Sequence, residues 1–167
     1  DYKVPQVFVT VVDDKGKKLR QRMLTRAPGE KSDVAATGVG DGWLLAWIDE
    51  RSGDAEVYAA RINRMLLSAG PDKRITSAAG SAAEVALVAR GPDALIAWSD
   101  ARDKDQPGVG DIYVAALKGS DASLVGSEQV VEKTPRHSRS PALALVGKGA
   151  LLAWIEERRR ASVPEIC

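Results

Sequence analysis

The chain has 167 residues, 44% hydrophobic and 28% charged, which is enough for one sizeable core in a single domain of ordinary globular composition. Its 24 Lys and Arg balance 23 Asp and Glu to a net charge of +1, which excludes a strong overall field for nucleic acid or an anionic membrane. The longest apolar runs, such as "GALLAW", fall far short of the roughly 20 residues of a spanning helix, and the opening "DYKVPQ" has no signal-peptide pattern, leaving a cytosolic chain or one whose leader has been removed.

In chain order, the first strand-length run is "VFVTVV" from Val7, followed by a strand over 21–25 that ends in "RMLT". Four runs follow: "DVAATG" from Asp33, "LLAWID" from Leu44, "VYAARI" from Val57 and "RITS" from Arg74. Four more repeat their character, "EVALVA" from Glu84, "LIAWSD" from Leu95, "IYVAAL" from Ile112 and "QVVE" from Gln129. "ALALVG" from Ala142 and "LLAWIE" from Leu151 close the series. Gly, Pro and Asp turn signals punctuate these short Val/Ile/Leu/aromatic runs, which predicts strands throughout. The best helical alternative, "RINRMLLSA" from Arg61, occupies the slot of the turn-like "VDDKGKKLR" and "LKGSDASLV", and so reads as a hairpin connection.

The runs form a repeat with two independent anchors. Trp47, Trp98 and Trp154 align at separations of 51 and 56 residues, and Phe8, Tyr58 and Tyr113 align at 50 and 55. Four short strands per period of about 50 residues, with no helix, predict an all-β chain of β-propeller blades. Counting strands outward from the axis, the chain divides into a half-blade over 7–25, blades over 33–76 and 84–132, and a half-blade over 141–157, within one domain. Three blades cannot close a ring that needs roughly 4 to 8, and the two half-blades would present open edges. Two readings follow: the chain is a segment of a six- or seven-bladed propeller whose other blades lie elsewhere, or two copies complete each other's half-blades. In either case the partner is another propeller segment or a second copy.

The pattern "DGWLLAWIDERSGDAEVYAARI…KRIT" resembles the repeats of bacterial TolB-like propellers, and its "W-x-D-x-R" turns are similar to those of sialidase-like and other secreted bacterial propellers. The resemblance covers nearly the whole chain at the level of fold. The sialidase Asp-box is absent, and TolB's usual "SPDG" is reduced to "GVGDG" and "ARGPD". It implies a bacterial protein of the periplasm or the secreted fraction.

Function must then be sought where the copies differ. The pairs Asp49/Arg51, Asp100/Arg102 and Glu156/Arg158 recur in every period, which predicts a structural role: a carboxylate accepting turn N–H groups and an Arg bridging to a neighbouring turn. The recurrent Trp residues predict packing between blades. Trp43 stands alone, since Ala94 and Ala150 take its place in the other copies; packing is its plainer role, and stacking on a sugar or anchoring a partner its sharper one.

The longest variable loop, "DARDKDQPGVGD", supplies Asp103, Asp105 and Asp111 as candidate contacts. Its oxygens suit Ca²⁺, but Pro107 sits where an EF-type ligand belongs and no later Glu completes the set, so no metal is assigned. The companion loop "KTPRHSRSP" contributes Arg136, His137 and Arg139, a solvated basic loop or a contact for an anion or acidic partner. His137 is the single His and has no nucleophile with a third orienting group, so neither a His metal set nor nucleophilic catalysis is indicated. Cys167, the single Cys, is an incidental thiol or an intermolecular disulfide, and the "EERRRASVPEIC" tail is a loose end or a docking segment.

These features predict a non-catalytic binding or scaffolding module without a cofactor. Its contact face would comprise loops 26–33, 49–55, 100–111 and 133–141. The alternatives are a lectin-like carbohydrate-binding propeller using Trp43, and a fragment of a sialidase-like glycoside hydrolase.

Overall fold

A computed structural model describes residues 3–157, and all strands expected from the repeat occur within them. Strands β1 (Phe8–Val12) and β2 (Lys18–Met23) form a two-stranded sheet. Strands β3 (Lys31–Val39), β4 (Gly42–Asp49), β5 (Glu56–Asn63) and β6 (Lys73–Arg74) form a four-stranded one. A second four-stranded sheet holds β7 (Ala82–Arg90), β8 (Asp93–Asp100), β9 (Asp111–Leu117) and β10 (Leu124–Glu132). The last pair is β11 (Ser138–Val146) with β12 (Gly149–Glu156). Every pairing is antiparallel between strands consecutive in sequence, and none of the four sheets is closed. The described residues form an all-β structure without a helix, and none therefore has a helix long and apolar enough to cross a membrane.

Local chemistry explains the strand ends. The turns Gly40–Asp41, Gly91–Pro92 and Gly147–Lys148 are two-residue hairpin loops, each opening on a glycine at positive φ (+56°, +61° and +56°), the conformation such a loop requires of its first residue. The strand expected over 21–25 lies instead over Lys18–Met23, and "RITS" contributes only Lys73–Arg74. In both places a threonine side chain takes over from the backbone: Val7 N–H donates to Thr25 Oγ1 at 2.9 Å, and Val57 N–H to Thr76 Oγ1 at 2.9 Å. "RINRMLLSA" is a hairpin connection because Asn63 Oδ1 accepts the N–H groups of Met65 (2.9 Å) and Leu67 (3.1 Å), a local bond that competes with helix. Asp13 does the same in the first repeat, accepting from Lys15 (2.9 Å) and Lys17 (2.8 Å).

The core lies between sheets. Leu44, Ala46 and Ile48 of β4 pack with Val57 and Ala59 against Ala94, Ile96 and Trp98 of β8. The other face of the same sheet, through Leu45, Trp47 and Tyr58, packs against Val7, Val9 and Val11. Alternate residues of β4 therefore serve two interfaces, which is why it reads as one continuous apolar run rather than as an alternating strand.

β7 lies between β3 and β11, each the first strand of its sheet. All three carry a bulge at the same place, between Ser32 and Ala35, Ala83 and Ala86, and Arg139 and Ala142. Within the bulges Asp33, Glu84 and Ser140 adopt φ of +51°, +58° and +53°, a conformation that costs a non-glycine residue about 1 kcal/mol. Contacts between neighbours offset this cost. Asp33 Oδ2 accepts the Glu84 N–H at 3.3 Å, and Glu84 accepts the Ser140 N–H at 2.5 Å and its hydroxyl at 3.2 Å. Each first strand is thereby tied to the next through the side chain at one repeated position.

Candidate functional site

Two regions bring candidate residues together, at opposite ends of the strands. The first is the loop end that follows β4, β8 and β12, where the repeated charged motif resolves into one cluster in each four-stranded sheet. Asp49, fully buried, accepts the Trp47 indole N–H at 2.9 Å, the Arg51 backbone N–H at 2.9 Å and Arg51 Nη2 at 2.5 Å. Arg51 Nη1 reaches across the sheet to Asp72 at 2.9 Å, while the guanidinium lies 4.4 Å over the Tyr58 ring, itself stacked on Trp47. The next sheet repeats the set. Asp100 accepts from Trp98 at 3.1 Å and from Arg102, Arg102 also pairs with Glu128, and it lies 4.3 Å over Tyr113.

The two-cluster pattern accounts for the recurrence of Asp and Arg in the sequence. Burial alone would push the Asp49 carboxyl up, but the hydrogen bonds from Arg51 and Trp47 and the Arg51 charge hold it below the usual carboxylate range. Desolvation opposes the charge on Arg51 and Arg102, and their carboxylate partners more than compensate and raise both. These groups are locked in one charge state, which suits a turn clamp better than proton transfer. In the third copy Arg158 lies outside the described residues, as do Arg159, Arg160 and Cys167.

The variable loops meet at this same end. Asp103 pairs with Lys133 at 2.8 Å and accepts the Asp105 N–H at 3.0 Å; these two bonds hold its carboxyl below the usual range. Asp111 is buried and accepts the Thr134 N–H at 3.3 Å. His137 Nδ1 accepts the Gly110 N–H at 2.9 Å, and Gly110 has no room for a side chain, since a Cβ would sit 2.5 Å from Ser99 Oγ. Arg136 pairs with Glu156 at 3.1 Å and Arg139 with Glu157 at 3.8 Å. Six of the seven sequence-derived candidates thus gather around one junction, where Asp103, Asp111 and His137 fasten loop 100–111 to loop 133–139 while Arg136 and Arg139 bind Glu156 and Glu157. Lys104 and Asp105 remain exposed at its tip. Among the described residues no three His, Cys, Asp or Glu side chains converge as a metal set.

Trp43, the seventh candidate, sits at the start of β4 and pairs with Gly38 and Ile62, a strand length away from those loops. It is half-buried in the wall of a groove of about 500 Å³ between the β1–β2 hairpin and the β3–β4 turn. Arg20, Asp41 and Arg64 line the same groove. Asp41 is bound by Arg61 at 2.8 Å, and Arg20 donates to the Arg64 carbonyl at 3.0 Å. Sequence reasoning missed these three because they lie on separate hairpins of different repeats; Trp43, as the residue without a counterpart, was the only signal for the groove. No family model matches the chain, and neither the curated proteins nor the solved structures contain a match to it.

Proposed function

We propose that the chain is a run of β-propeller blades acting as a non-catalytic binding or scaffolding module for protein–protein interaction, completed by another chain or a second copy. One observation carries this reading. The first strands β3, β7 and β11 are joined side by side through Asp33, Glu84 and Ser140, while the β1–β2 sheet packs face to face on the β3–β6 sheet and that sheet on the β7–β10 sheet, as blades fanning from an axis do. The internally paired loops at the far strand ends supply a rigid surface, which favours recognition over chemistry. The likeness to TolB-like and sialidase-like repeats reaches no further than this arrangement, and a periplasmic or secreted location belongs to the same proposal.

The test is a set of pulsed electron-paramagnetic-resonance distances, with labelled chain diluted in unlabelled. Labels at the equivalent outer positions Arg22, Lys73 and Gln129 are expected farther apart than labels at the inner positions Ala36, Leu87 and Leu143. Equal spacings, as in stacked parallel layers, would overturn the propeller.

The groove beside Trp43 favours a second reading as a carbohydrate-binding propeller, because a half-exposed indole flanked by Arg and Asp can stack on a sugar ring and bind its hydroxyls. Trp43→Ala is then expected to weaken glycan-array binding at least tenfold with the fold retained by circular dichroism. Undiminished binding, or none by the parent chain, rejects it.

A further inference from the structure

The strand end opposite the clamped loops carries the β1–β2, β3–β4, β5–β6, β7–β8 and β9–β10 connections. Grooves between neighbouring sheets join them: Val11 and Arg20 share one with Asp41 and Arg64, and Asp41 and Asn63 share the next with Pro92 and Ser120. At the clamped end the arginines are tied to carboxylates. Here the carboxylates are drawn into their own turns instead. Asp13 accepts the Lys15 and Lys17 N–H groups, Asp93 the Gly119 N–H at 3.0 Å, and Asp121 the Ser123 N–H at 3.1 Å and its hydroxyl at 2.7 Å. Asp41 is taken by Arg61, and only Asp14 stands exposed without a bond among the described residues. Lys15, Lys17, Arg64, Arg90 and Lys118 are all exposed, and among the described residues none has a carboxylate partner. The whole-chain balance of +1 conceals this local excess of positive charge.

One connection differs from its counterparts in chemistry but not in shape. Residues 15–17, 65–67 and 121–123 take the same bend: the N–H of Gly16, Leu66 and Ala122 donates to the carbonyl of Asp13 (3.1 Å), Asn63 (2.9 Å) and Lys118 (2.9 Å), at φ of +79°, +61° and +63°. Leu66 turns into the core at 2% exposure, as Ala122 does in the next sheet, and closes that corner of the fold. Met65 and Leu67 on either side of it are 58% and 42% exposed, where the other bends carry Lys15 and Lys17 or Asp121 and Ser123. Asn63 Oδ1 fixes this bend by accepting both of their N–H groups. Arg20 Nη1, from the first sheet, reaches Met65 Sδ at 3.2 Å, and Ser120, beside Lys118 of the third, lines the groove that Asn63 lines. An apolar tip thus projects between cations of both neighbouring sheets.

We propose that this end of the molecule docks on a membrane surface rich in anionic lipid, with Met65 and Leu67 entering the headgroup layer and Lys15, Lys17, Arg64 and Lys118 facing the lipid charge. The contact is peripheral, since no helix of the described residues is long and apolar enough to cross a membrane. Each cation near such a surface adds an attraction that salt screens, and each apolar side chain that enters it adds one that salt does not. Two features select a lipid surface over a folded acidic partner. The cations lie on three different sheets, which matches a continuous layer of negative charge rather than one carboxylate or phosphate. Met65 and Leu67 project from a tip, so a layer that yields around them covers them without a pocket of matching shape.

The full chain is mixed with vesicles of phosphatidylserine and phosphatidylcholine at about 3:7, or of phosphatidylcholine alone, and the bound fraction is read by sedimentation at about 0.1 M salt. Binding is expected to the anionic vesicles only. Lys17→Glu should lower the partition coefficient about tenfold, since the reversal removes one attraction and adds one repulsion. Lys104→Glu, the same charge change at the loop tip of the other end, should leave it unchanged. Met65→Ser combined with Leu67→Ser should lower it by about the same factor and keep the circular dichroism spectrum, because neither side chain belongs to the core. No binding, equal binding to both vesicles, or an equal loss with Lys104→Glu overturns the proposal. Binding that is indifferent to the double serine variant and displaced by soluble polyglutamate also overturns it, and gives the face to an acidic protein instead.

Discussion

Asp49→Ala is expected to destabilise the fold by about 3 kcal/mol, read from urea unfolding at a fixed protein concentration. Removing the carboxylate leaves the Trp47 indole N–H and the Arg51 guanidinium without their shared buried acceptor, the situation in which losing one member of a buried pair costs about 3–5 kcal/mol. The lower end applies because Arg51 keeps Asp72. Asp49→Asn should recover little: its amide would turn an NH₂ toward either the Arg51 backbone N–H or the Trp47 and Arg51 Nη2 donors.

The same residue sets an acid limit. The folded carboxyl is held below its unfolded value of about 3.9, so its contribution is complete above that value and disappears as pH falls through the lower folded one. The parent chain should therefore lose stability below about pH 4 more steeply than Asp49→Asn. A cost under about 1 kcal/mol for Asp49→Ala, or parallel pH profiles, would show that the cluster is ornamental to stability.

Trp98→Ala is expected to cost about 3–5 kcal/mol, the range for truncating a fully buried aromatic. The ring fills the interface with the preceding sheet, stacks on Tyr113 at 5.9 Å and satisfies Asp100, so the cavity forms where two sheets meet. Trp98→Phe should lose less, because it retains most of the volume and only the indole N–H disappears. Trp154→Ala provides the contrast. Its ring is only half-buried, so its cost should be smaller than that of Trp98→Ala. A Trp98→Ala cost below about 2 kcal/mol, or one no larger than that of Trp154→Ala, would mean that the sheets do not pack as described.

Much of this arrangement was legible in the residues. The Trp47/Trp98/Trp154 spacing located every Trp-bearing strand, and the carboxylate and Arg that recur after each Trp already pointed to a clamp rather than a reactive centre, because chemistry needs unlike groups brought to one place. Strand ends were less legible. At Thr25 and Thr76 a hydroxyl substitutes for a backbone group in the ladder, and that exchange leaves no trace in hydrophobic pattern. Candidate contacts were mixed for a related reason. Asp103, Asp111, Arg136 and His137 were found because they stand in loops where the copies disagree, yet Asp111 and His137 turned out to fasten those loops together.

Taken alone, the sequence determined the all-β class, the period near 50 residues and the uniqueness of Trp43, since each follows from local propensity or from self-comparison. Tertiary structure decided that Asp33, Glu84 and Ser140 link successive first strands, that Trp43 shares a groove with Arg20 and Asp41, and that Leu151 and Ile155 lie bare where Leu44 and Ile48 are covered. Those facts depend on which sheets become neighbours. A residue's period says which face of its own strand it occupies, but only packing says whether another sheet arrives to cover that face.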